Sequence, residues 1–403
     1  MTRPTPTRTA GRRRLAVAAA VGVALLASAC GSGSADDEGS ADLGDATSEV
    51  GQQAAELVTA TMGKFSYAEN DFPESPSDIQ PYTDWKGPTE APAPAESANV
   101  QVIVCTKAAA ACMATASGIE AAGEALGWEV EVIDGGGTPQ AQSQAFDTAF
   151  SRKPDAIIGV AVPTLSSQDK LEDAKERGII TIATGDTEPD SGTAYDAYVS
   201  FRMPLMETLV AYAEIARTDG KADTIVVNDP TTPSLIESME QFKAVYATCD
   251  DCETSDVDWK ITDAIDPTKV NSIISGALAA NPDATSITLP YSIGLPAVIQ
   301  AIDAAGKADQ VKILVKDADA AGLEALKAGQ IEFNAGASPT WAGWGTVDQV
   351  IRGMAGEPYL QGDQTGLGVV TFDKTTVPDN TDVDQWDGLV DFVSEYKKIW
   401  GVS

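Results

Sequence analysis

The chain has 403 residues, of which 43% are hydrophobic, so it is large enough for two α/β cores and is not globally disordered. It contains no histidine, which removes histidine-activated nucleophiles and histidine-ligated zinc. The formal net charge of −33 disfavours binding to nucleic acid or anionic headgroups, and an acidic solvated surface also accounts for it.

The first 29 residues have the organisation of a secretory signal peptide. Three arginines ending at Arg14 precede an apolar stretch, Leu15 to Leu26, which is too short to span a hydrocarbon core of roughly 30 Å. Small residues then lead to Cys30, which resembles a lipobox cysteine although Ala27 stands where leucine is commonest. We therefore predict a lipid on Cys30 and anchoring at the outer face of the cytoplasmic membrane. The alternative is an ordinary secretory cleavage that leaves a free cysteine.

Three different patterns follow the predicted cleavage site. Residues 30–45 are rich in glycine, serine and acidic residues, which predicts a flexible tether. Apolar residues at near-helical spacing predict an amphipathic helix within 46–65. Proline and polar breakers in 70–98 predict an extended linker, so that 46–98 form an N-terminal helix and linker.

From Asn99 onward, short strand-like runs alternate with helical segments. The predicted strands are 100–104, 128–133, 156–160, 179–182, 223–227, 254–259, 286–289 and 311–315. The predicted helices are 113–126, 138–150, 166–177, 205–216, 234–246, 267–281 and 293–305. This alternation predicts βαβ units in mainly parallel sheets. Such sheets bind ligands beyond the carboxyl ends of their strands, so two facing sheets would share a cleft.

Four cysteines remain after Cys30, and an even number on an exported chain predicts disulfides. Local pairing would join Cys105 to Cys112 and Cys249 to Cys252. A redox or zinc site is the alternative. The two aspartates between Cys249 and Cys252 disfavour a thiolate, and a zinc site would require the two pairs to meet in space.

Six stretches carry a recognisable pattern in order over about residues 99–375: Ala121–Val130, Asp173–Ile182, Ala301–Ala308, Ile313–Asp317, Gly322–Gln330 and Trp341–Asp348. Together they resemble type I periplasmic-binding proteins, the ribose- and galactose-binding class, and the last is similar to a helix of actinobacterial members. The resemblance implies an α/β fold of two doubly wound parallel-sheet lobes, joined by a three-strand hinge that closes around a ligand. It places lobe one at 99–185 and 338–365, lobe two at 186–337 and 366–380, and a C-terminal helix in 381–403.

Side chains beyond the predicted strand ends are the candidate ligand contacts. They are Thr106, Lys107, Thr164, Asp186, Asn228, Tyr291, Ser292 and Asp317, with Trp341 at the start of a later helix. Aromatic faces suit the apolar face of a sugar ring, while amides and carboxylates hold hydroxyl groups. Trp341 or Tyr291 would alternatively be packing residues, and Asp317 a helix cap or turn residue.

The sequence departs from the sugar-binding pattern of the family it resembles. Gly185-Asp186 stands where Asp-Arg is usual, Tyr291-Ser292 stands where Asn-Asp is usual, and the helix at 234–246 lacks the arginine expected near its start. A pocket short of arginine is poorly suited to free carboxylates, and the alternative is that Arg202 or Lys107 substitutes for it. The residues support the predicted fold more directly than they support a sugar as the ligand.

The resemblance implies a solute-binding lipoprotein of an ABC importer, which captures a small polar, sugar-like molecule and delivers it to a permease with a separate ATPase. The alternative is a ligand-sensing receptor for a membrane signalling system with the same fold. No carboxylate pair marks a catalytic site, so no enzymatic activity is predicted. Neither a cofactor nor a metal is predicted, and we expect a monomer that does not bind nucleic acid.

Overall fold

The computed structural model describes residues 46–61, 63–66, 80–81, 84–189, 191–317, 319–379, 381 and 390–403. The predicted signal peptide, the tether at 30–45 and the predicted lipid site at Cys30 lie outside these residues. Within the described ranges, every helix is too short or too polar to traverse a lipid bilayer.

The described residues form thirteen strands and twelve helices, numbered in chain order. The strands are β1 (Gly63–Ser66), β2 (Gln80–Pro81), β3 (Asn99–Val104), β4 (Glu129–Asp134), β5 (Ala156–Val160), β6 (Ile180–Thr184), β7 (Ala197–Val199), β8 (Asp223–Asn228), β9 (Glu253–Asp258), β10 (Ser286–Leu289), β11 (Lys312–Lys316), β12 (Ile331–Ala337) and β13 (Val369–Phe372). The helices are α1 (Glu49–Thr61), α2 (Ala110–Leu126), α3 (Pro139–Ser151), α4 (Gln168–Glu176), α5 (Met203–Arg217), α6 (Pro233–Tyr246), α7 (Ile261–Ala264), α8 (Pro267–Ala280), α9 (Leu295–Ala304), α10 (Ala320–Lys327), α11 (Pro339–Ala355) and α12 (Phe392–Trp400).

Lobe one is built on a parallel sheet of five strands in the order β4-β3-β5-β6-β7. Its strand β3, which lies between β4 and β5, is buried on both faces, and its sequence is accordingly apolar except for Asn99 and Gln101. Val102 belongs to the core cluster that includes residues of α2 and α11, whereas Ile103 belongs to the cluster that includes residues of α3 and α4. Successive side chains of a strand point to opposite faces, so β3 serves both clusters.

Lobe two is built on a sheet of eight strands in the order β2-β1-β13-β12-β11-β10-β8-β9. The strands from β8 to β12 pair in parallel, whereas β13, β1 and β2 add an antiparallel edge. The structure therefore confirms two α/β lobes with mostly parallel sheets. The predicted strands and helices between 100 and 315 are all present, with ends within three residues of those expected.

The first crossing between the lobes comes later than the sequence indicated. The expected boundary at residue 185 falls before β7, whose residues 197–199 pair with β6 and extend the sheet of lobe one. The chain enters lobe two only between Val199 and the start of α5 at Met203. The prediction failed here because a three-residue strand carries too little periodicity to be recognised.

The N-terminal segment contacts both lobes. On lobe two, α1 packs against α5, and the carboxylate of Asp219 accepts hydrogen bonds from the amides of Thr47 (2.7 Å) and Ser48 (2.6 Å). On lobe one, Trp85 stacks on Trp341 with ring centroids 5.7 Å apart. Part of the predicted linker is therefore a packed strap that adds a pass of the chain between the lobes.

The C-terminal helix α12 lies on lobe one, although β13 before it belongs to lobe two. Trp400 donates a hydrogen bond from Nε1 to Asp348 at 2.9 Å and stacks on Trp344 at 5.3 Å. The chain crosses the hinge three times, after β7, β12 and α11. Two further passes join the lobes, one between β13 and α12 and one between β2 and the N-terminal segment on lobe one. In the part of the chain that the structure describes, five passes thus connect the lobes.

Candidate ligand-binding cleft

A cleft of about 1010 Å³, part of it continuous with solvent, lies between the two lobes. Lobe one contributes the residues that follow β3 and β5 and the first turn of α2. Lobe two contributes the loops after β8, β10 and β11 and the start of α6. This position beyond the carboxyl ends of parallel strands is the one that open α/β sheets use for ligands.

The wall formed by lobe one is mainly apolar. Cys105 follows β3 and is joined by a disulfide to Cys112 in the first turn of α2. Both sulfur-bearing residues line the cleft together with Ala109, Ala110, Ala111, Val160, Ala161, Pro163 and Phe201. The Oγ atoms of the lining residues Thr115 and Ser166 hydrogen-bond to backbone carbonyls within their own segments, so they offer the cleft little polarity.

Gln142 on α3 is the polar exception in this wall. Its side chain lines the cleft and the residue is only 6% exposed. The side-chain amide makes no hydrogen bond to any described residue, and its oxygen and nitrogen still reach solvent at the cleft. Gln142 is therefore available to a bound molecule.

The wall formed by lobe two carries carboxylates and hydroxyls, most of which pair with each other. Asp229, directly after β8, accepts hydrogen bonds from Tyr291 Oη at 3.0 Å and from the amides of Thr231 (3.0 Å) and Ile261 (3.1 Å). The ring of Tyr291 also stacks on Trp259, with centroids 5.7 Å apart. Burial and the nearby charge of Asp229 raise the pKa of Tyr291 well above its ordinary value, so the phenol stays protonated and donates.

Ser292 and Asp319 form a second internal pair. Ser292 Oγ donates to a carboxylate oxygen of Asp319, whose other oxygen accepts from the Gly322 amide at 2.9 Å and thereby caps α10. Burial raises the pKa of Asp319 above its ordinary value. This pair shapes the wall but has little hydrogen-bonding capacity left for a ligand.

Lys316 is the last residue of β11, and Asp317 follows it at the cleft. Lys316 is only 1% exposed, and its Nζ donates to the carbonyl of Pro290 at 2.6 Å and to Asp317 Oδ1 at 3.3 Å. The side chain of Asp317 remains 20% exposed and so reaches solvent. Its backbone φ of 89° is a left-handed conformation that is rare for a non-glycine residue and is often found at functional sites.

A buried carboxyl group lies behind this pair. Glu207 Oε1 is 3.9 Å from Lys316 Nζ, and burial raises the pKa of Glu207 to about 8 despite the opposing effect of the lysine charge. Glu207 is thus largely protonated at neutral pH. Lys316 therefore forms its ion pair mainly with Asp317 rather than with Glu207.

The rims of the two lobes touch on two sides of the cleft. Ser234 Oγ on α6 donates to the carbonyl of Gly185 at 3.2 Å, and Thr187 Oγ1 donates to Glu237 at 3.1 Å. On the other side, Gly137 lies so close to Ile261 that an added Cβ would be 3.2 Å from its Cγ2. The structure is therefore in a closed form.

The structure brings together part of the predicted set of ligand contacts. Tyr291, Ser292 and Asp317 line the cleft. Thr164 and Asp186 lie just behind the wall of lobe one, where Asp186 accepts from the Thr164 amide at 2.7 Å and from its Oγ1 at 2.5 Å. Burial raises the pKa of Asp186, so the pair is a buried internal contact beside the cleft.

The other predicted contacts do not line the cleft. Thr106 is buried and accepts from the Ala108 amide at 3.3 Å, and Lys107 is exposed on the surface. Asn228 turns towards β9, where its Nδ2 donates to Asp256 at 2.9 Å. Trp341 is 1% exposed and stacks on Phe392 at 5.3 Å, which makes it a core residue of lobe one. Apolar packing outweighs cleft exposure for a tryptophan on a helix that is buried all round.

Sequence reasoning missed Lys316, Asp319 and Gln142. Lys316 directly follows the strand predicted at 311–315 and therefore satisfies the same strand-end rule that selected Asp317. Asp319 carried the signal of an N-cap before a helical segment. Gln142 carried no signal, because α3 had to be packed on its sheet before one helix position was seen to face the cleft.

Both cysteine pairs form disulfides, Cys105–Cys112 and Cys249–Cys252, as local pairing predicted. In the part of the chain that the structure describes, no group of three or more acidic or cysteine side chains has the arrangement of a metal site. The first disulfide lies in the cleft wall. The second lies on lobe two, where Cys249 belongs to the core cluster that also contains residues of α1.

Two parallel-sheet lobes facing each other across a hinged cleft define a bilobal binding protein. The chain belongs to the family of the periplasmic binding protein domain, which matches residues 100–358. A comparison with curated proteins finds no match.

Several solved structures have the same fold. A solute-binding protein of an ABC transporter from Agrobacterium vitis, bound with α-D-tagatopyranose, is 21% identical at a TM-score of 0.62, over 70% of this chain and 96% of that one. An ABC sugar transporter subunit from Rhodobacter sphaeroides is 18% identical at a TM-score of 0.60, over 69% and 99%. A 5-methylthioribose transporter solute-binding protein from Thermotoga lettingae, in complex with 5-methylthioribose, is 15% identical at 0.61, over 76% and 94%.

Proposed function

We propose that the protein is the solute receptor of an ABC importer, which captures a small hydroxyl-bearing molecule in the cleft and delivers it to a membrane permease. The observation that carries the proposal is the closed cleft beyond the carboxyl ends of two parallel sheets, with Asp317 and Gln142 facing it. The sugars bound by proteins of the same fold, tagatopyranose and 5-methylthioribose, support a sugar-like solute. Binding without chemical transformation accords with the family, whose members are named for binding.

Asp317 is the residue that we expect to hold a solute hydroxyl. Its carboxylate is partly exposed to the cleft, while Lys316 fixes one oxygen, so the other can accept. The acids at 229 and 319 are occupied by internal hydrogen bonds. A free carboxylate or phosphate would meet an acidic wall whose described lining contains no arginine and whose cation, Lys316, is already hydrogen-bonded to Pro290 and Asp317.

The experiment is a thermal-shift screen of the purified protein against sugars, polyols, nucleosides and amino acids, followed by calorimetry. A solute at 100 times its Kd stabilises the folded state by about 2.7 kcal/mol, a clearly measurable shift. Asp317→Asn keeps the left-handed backbone and removes the charge, so it should weaken binding about tenfold or more. Asp303→Asn changes an exposed aspartate on α9 outside the cleft and is the matched control.

Two outcomes would contradict the proposal. One is that no solute raises the melting temperature at large excess. The other is that Asp317→Asn and Asp303→Asn bind the identified solute equally well. Uptake of the labelled solute by cells lacking the gene then separates transport from sensing, because a sensor would leave uptake unchanged.

The anchor belongs to the same proposal. We infer export and a lipid on Cys30, supported by the basic, apolar and small-residue order before that cysteine. Cys30→Ala should move the protein from the membrane fraction to the soluble exported fraction. Unchanged fractionation of this variant would exclude lipidation at Cys30.

A further inference from the structure

We propose that the solute is amphiphilic, with hydroxyl groups on the side that meets Asp317 on lobe two and an apolar substituent against the Cys105–Cys112 wall of lobe one. The inference rests on the proposed function and specifies the solute class for the same cleft.

The first step is the distribution of apolar side chains around the cleft. The disulfide and the alanines at the start of α2 form one wall. Phe201 and Met203, where the chain crosses into lobe two, continue this surface, and Ile293 extends it on lobe two. The apolar surface thus covers lobe one and the hinge side of the cleft without interruption by a charged side chain.

The second step is the small number of polar groups free to bind. Asp229 pairs with Tyr291, and Ser292 pairs with Asp319, so these four side chains are largely occupied by one another. Asp317 retains exposure and Gln142 retains an unpaired amide. The backbone amides in the first turn of α2 add donors, since none of the described side chains caps that helix.

The third step compares two kinds of solute in this cleft. An unsubstituted sugar carries hydroxyls around its whole ring, and those pressed against the apolar side chains of the disulfide wall, away from the Gln142 amide and the first-turn amides of α2, would lose water without gaining a partner. A solute with an apolar substituent on that side avoids this penalty. Each methylene group buried there should strengthen binding roughly fourfold.

The test uses matched pairs of solutes measured by calorimetry with the full chain. D-ribose and D-glucose are compared with their methyl, butyl and phenyl glycosides, and ribose is compared with adenosine. Within at least one series, the substituted member should bind at least about tenfold more tightly than the parent sugar. Parent sugars that bind as tightly as every substituted form would overturn this inference and leave the receptor function standing. Failure of all these solutes, together with failure of the wider screen, would overturn both.

A variant pair localises the apolar contact. Ala110→Asp places a charge in the wall at the start of α2, where an acidic residue favours the helix and folding is preserved. It should reduce the ratio of substituted to parent affinity to about one. Ala108→Asp alters an exposed residue that does not line the cleft, and the ratio should stay unchanged. Equal ratios in the two variants would contradict the assignment.

The two disulfides supply a second matched pair. Replacing Cys105 and Cys112 together by serine puts two hydroxyls into the wall, whereas the same change at Cys249 and Cys252 leaves the cleft lining intact. The first variant should lose the preference for the substituted solute, and the second should keep it. Retention of the preference in the first variant, with its melting transition still cooperative, would contradict a contact between solute and disulfide.

Discussion

On lobe one, the residues that reach the cleft after β3 and β5 include Cys105, Ala161 and Pro163, whereas on lobe two Asp229 and Lys316 occupy comparable strand ends. Both walls follow the same βα architecture. One is nevertheless apolar and closed by a disulfide, and the other is a network of hydrogen-bonded acids and hydroxyls. The comparison teaches that the fold determines where a ligand lies, while the few residues after each strand determine which side of the ligand is polar.

The largest expected effect concerns the core behind the apolar wall. Trp341→Ala removes a fully buried side chain that stacks on Trp85 and Phe392, so it should lower the free energy of unfolding by about 3–5 kcal/mol. Urea denaturation measures this loss. Trp341→Phe keeps an aromatic ring and should lose clearly less. A loss below about 1 kcal/mol for alanine would argue against a core role.

The next effect concerns the buried carboxyl group behind the polar wall. The folded-state pKa of Glu207 is raised from 4.5 to about 8, so its proton stabilises the fold fully below about pH 4.5 and is lost as pH rises through about 8. Since one pKa unit corresponds to about 1.4 kcal/mol, the free energy of unfolding should fall by up to a few kcal/mol across this window.

Glu207→Gln should remove this pH dependence, because glutamine stays neutral throughout. Urea denaturation of both proteins at several pH values between 4.5 and 8 measures the two slopes. An identical slope in the variant would assign the pH dependence to another group.

A smaller effect is expected from the hydrogen bond that organises the polar wall. Tyr291→Phe keeps the ring stacked on Trp259 but leaves one oxygen of Asp229 without its phenol donor. The free energy of unfolding should fall by about 1–3 kcal/mol, and solute affinity should fall with it. Phe201→Leu, on the apolar side, should affect only affinity for substituted solutes. Equal changes in the free energy of unfolding and in solute affinity for the two variants would contradict different roles for the two walls.

The smallest effect is local to α1 and the two residues before it. Hydrogen bonds from the backbone and side chains of Thr47 and Ser48 hold the pKa of Asp219 well below its usual range. Asp219→Asn keeps a residue that tolerates the left-handed backbone but weakens these bonds. Amide hydrogen exchange in α1 should become faster, while exchange in β3 of lobe one stays unchanged. Faster exchange throughout both lobes would show instead that the contact of Asp219 with Thr47 and Ser48 contributes to global stability.

Part of this architecture was accessible from residue patterns. Gly127 after an apolar helical run predicted the end of α2, and the structure has it at φ 72° as the C-cap. Alternating strands and helices predicted the sheets, and Tyr291, Ser292 and Asp317 follow from the rule about strand ends. Asn228 satisfied the same rule yet faces β9, because a strand-end position does not specify which face its side chain takes.

Local patterns determined the helices, the strands, the two disulfides and the edge of each sheet where a ligand belongs, since these depend on neighbours within a few positions of the chain. Long-range packing decided that Trp341 is core, that Gln142 and Lys316 face the cleft, and that residues 84–98 fasten to lobe one. It also decided which acids are free, because Asp229 is occupied by a tyrosine from a distant loop. Contacts between residues far apart in the chain leave no periodic trace in the sequence, so the polarity of each wall emerges only when the lobes are assembled.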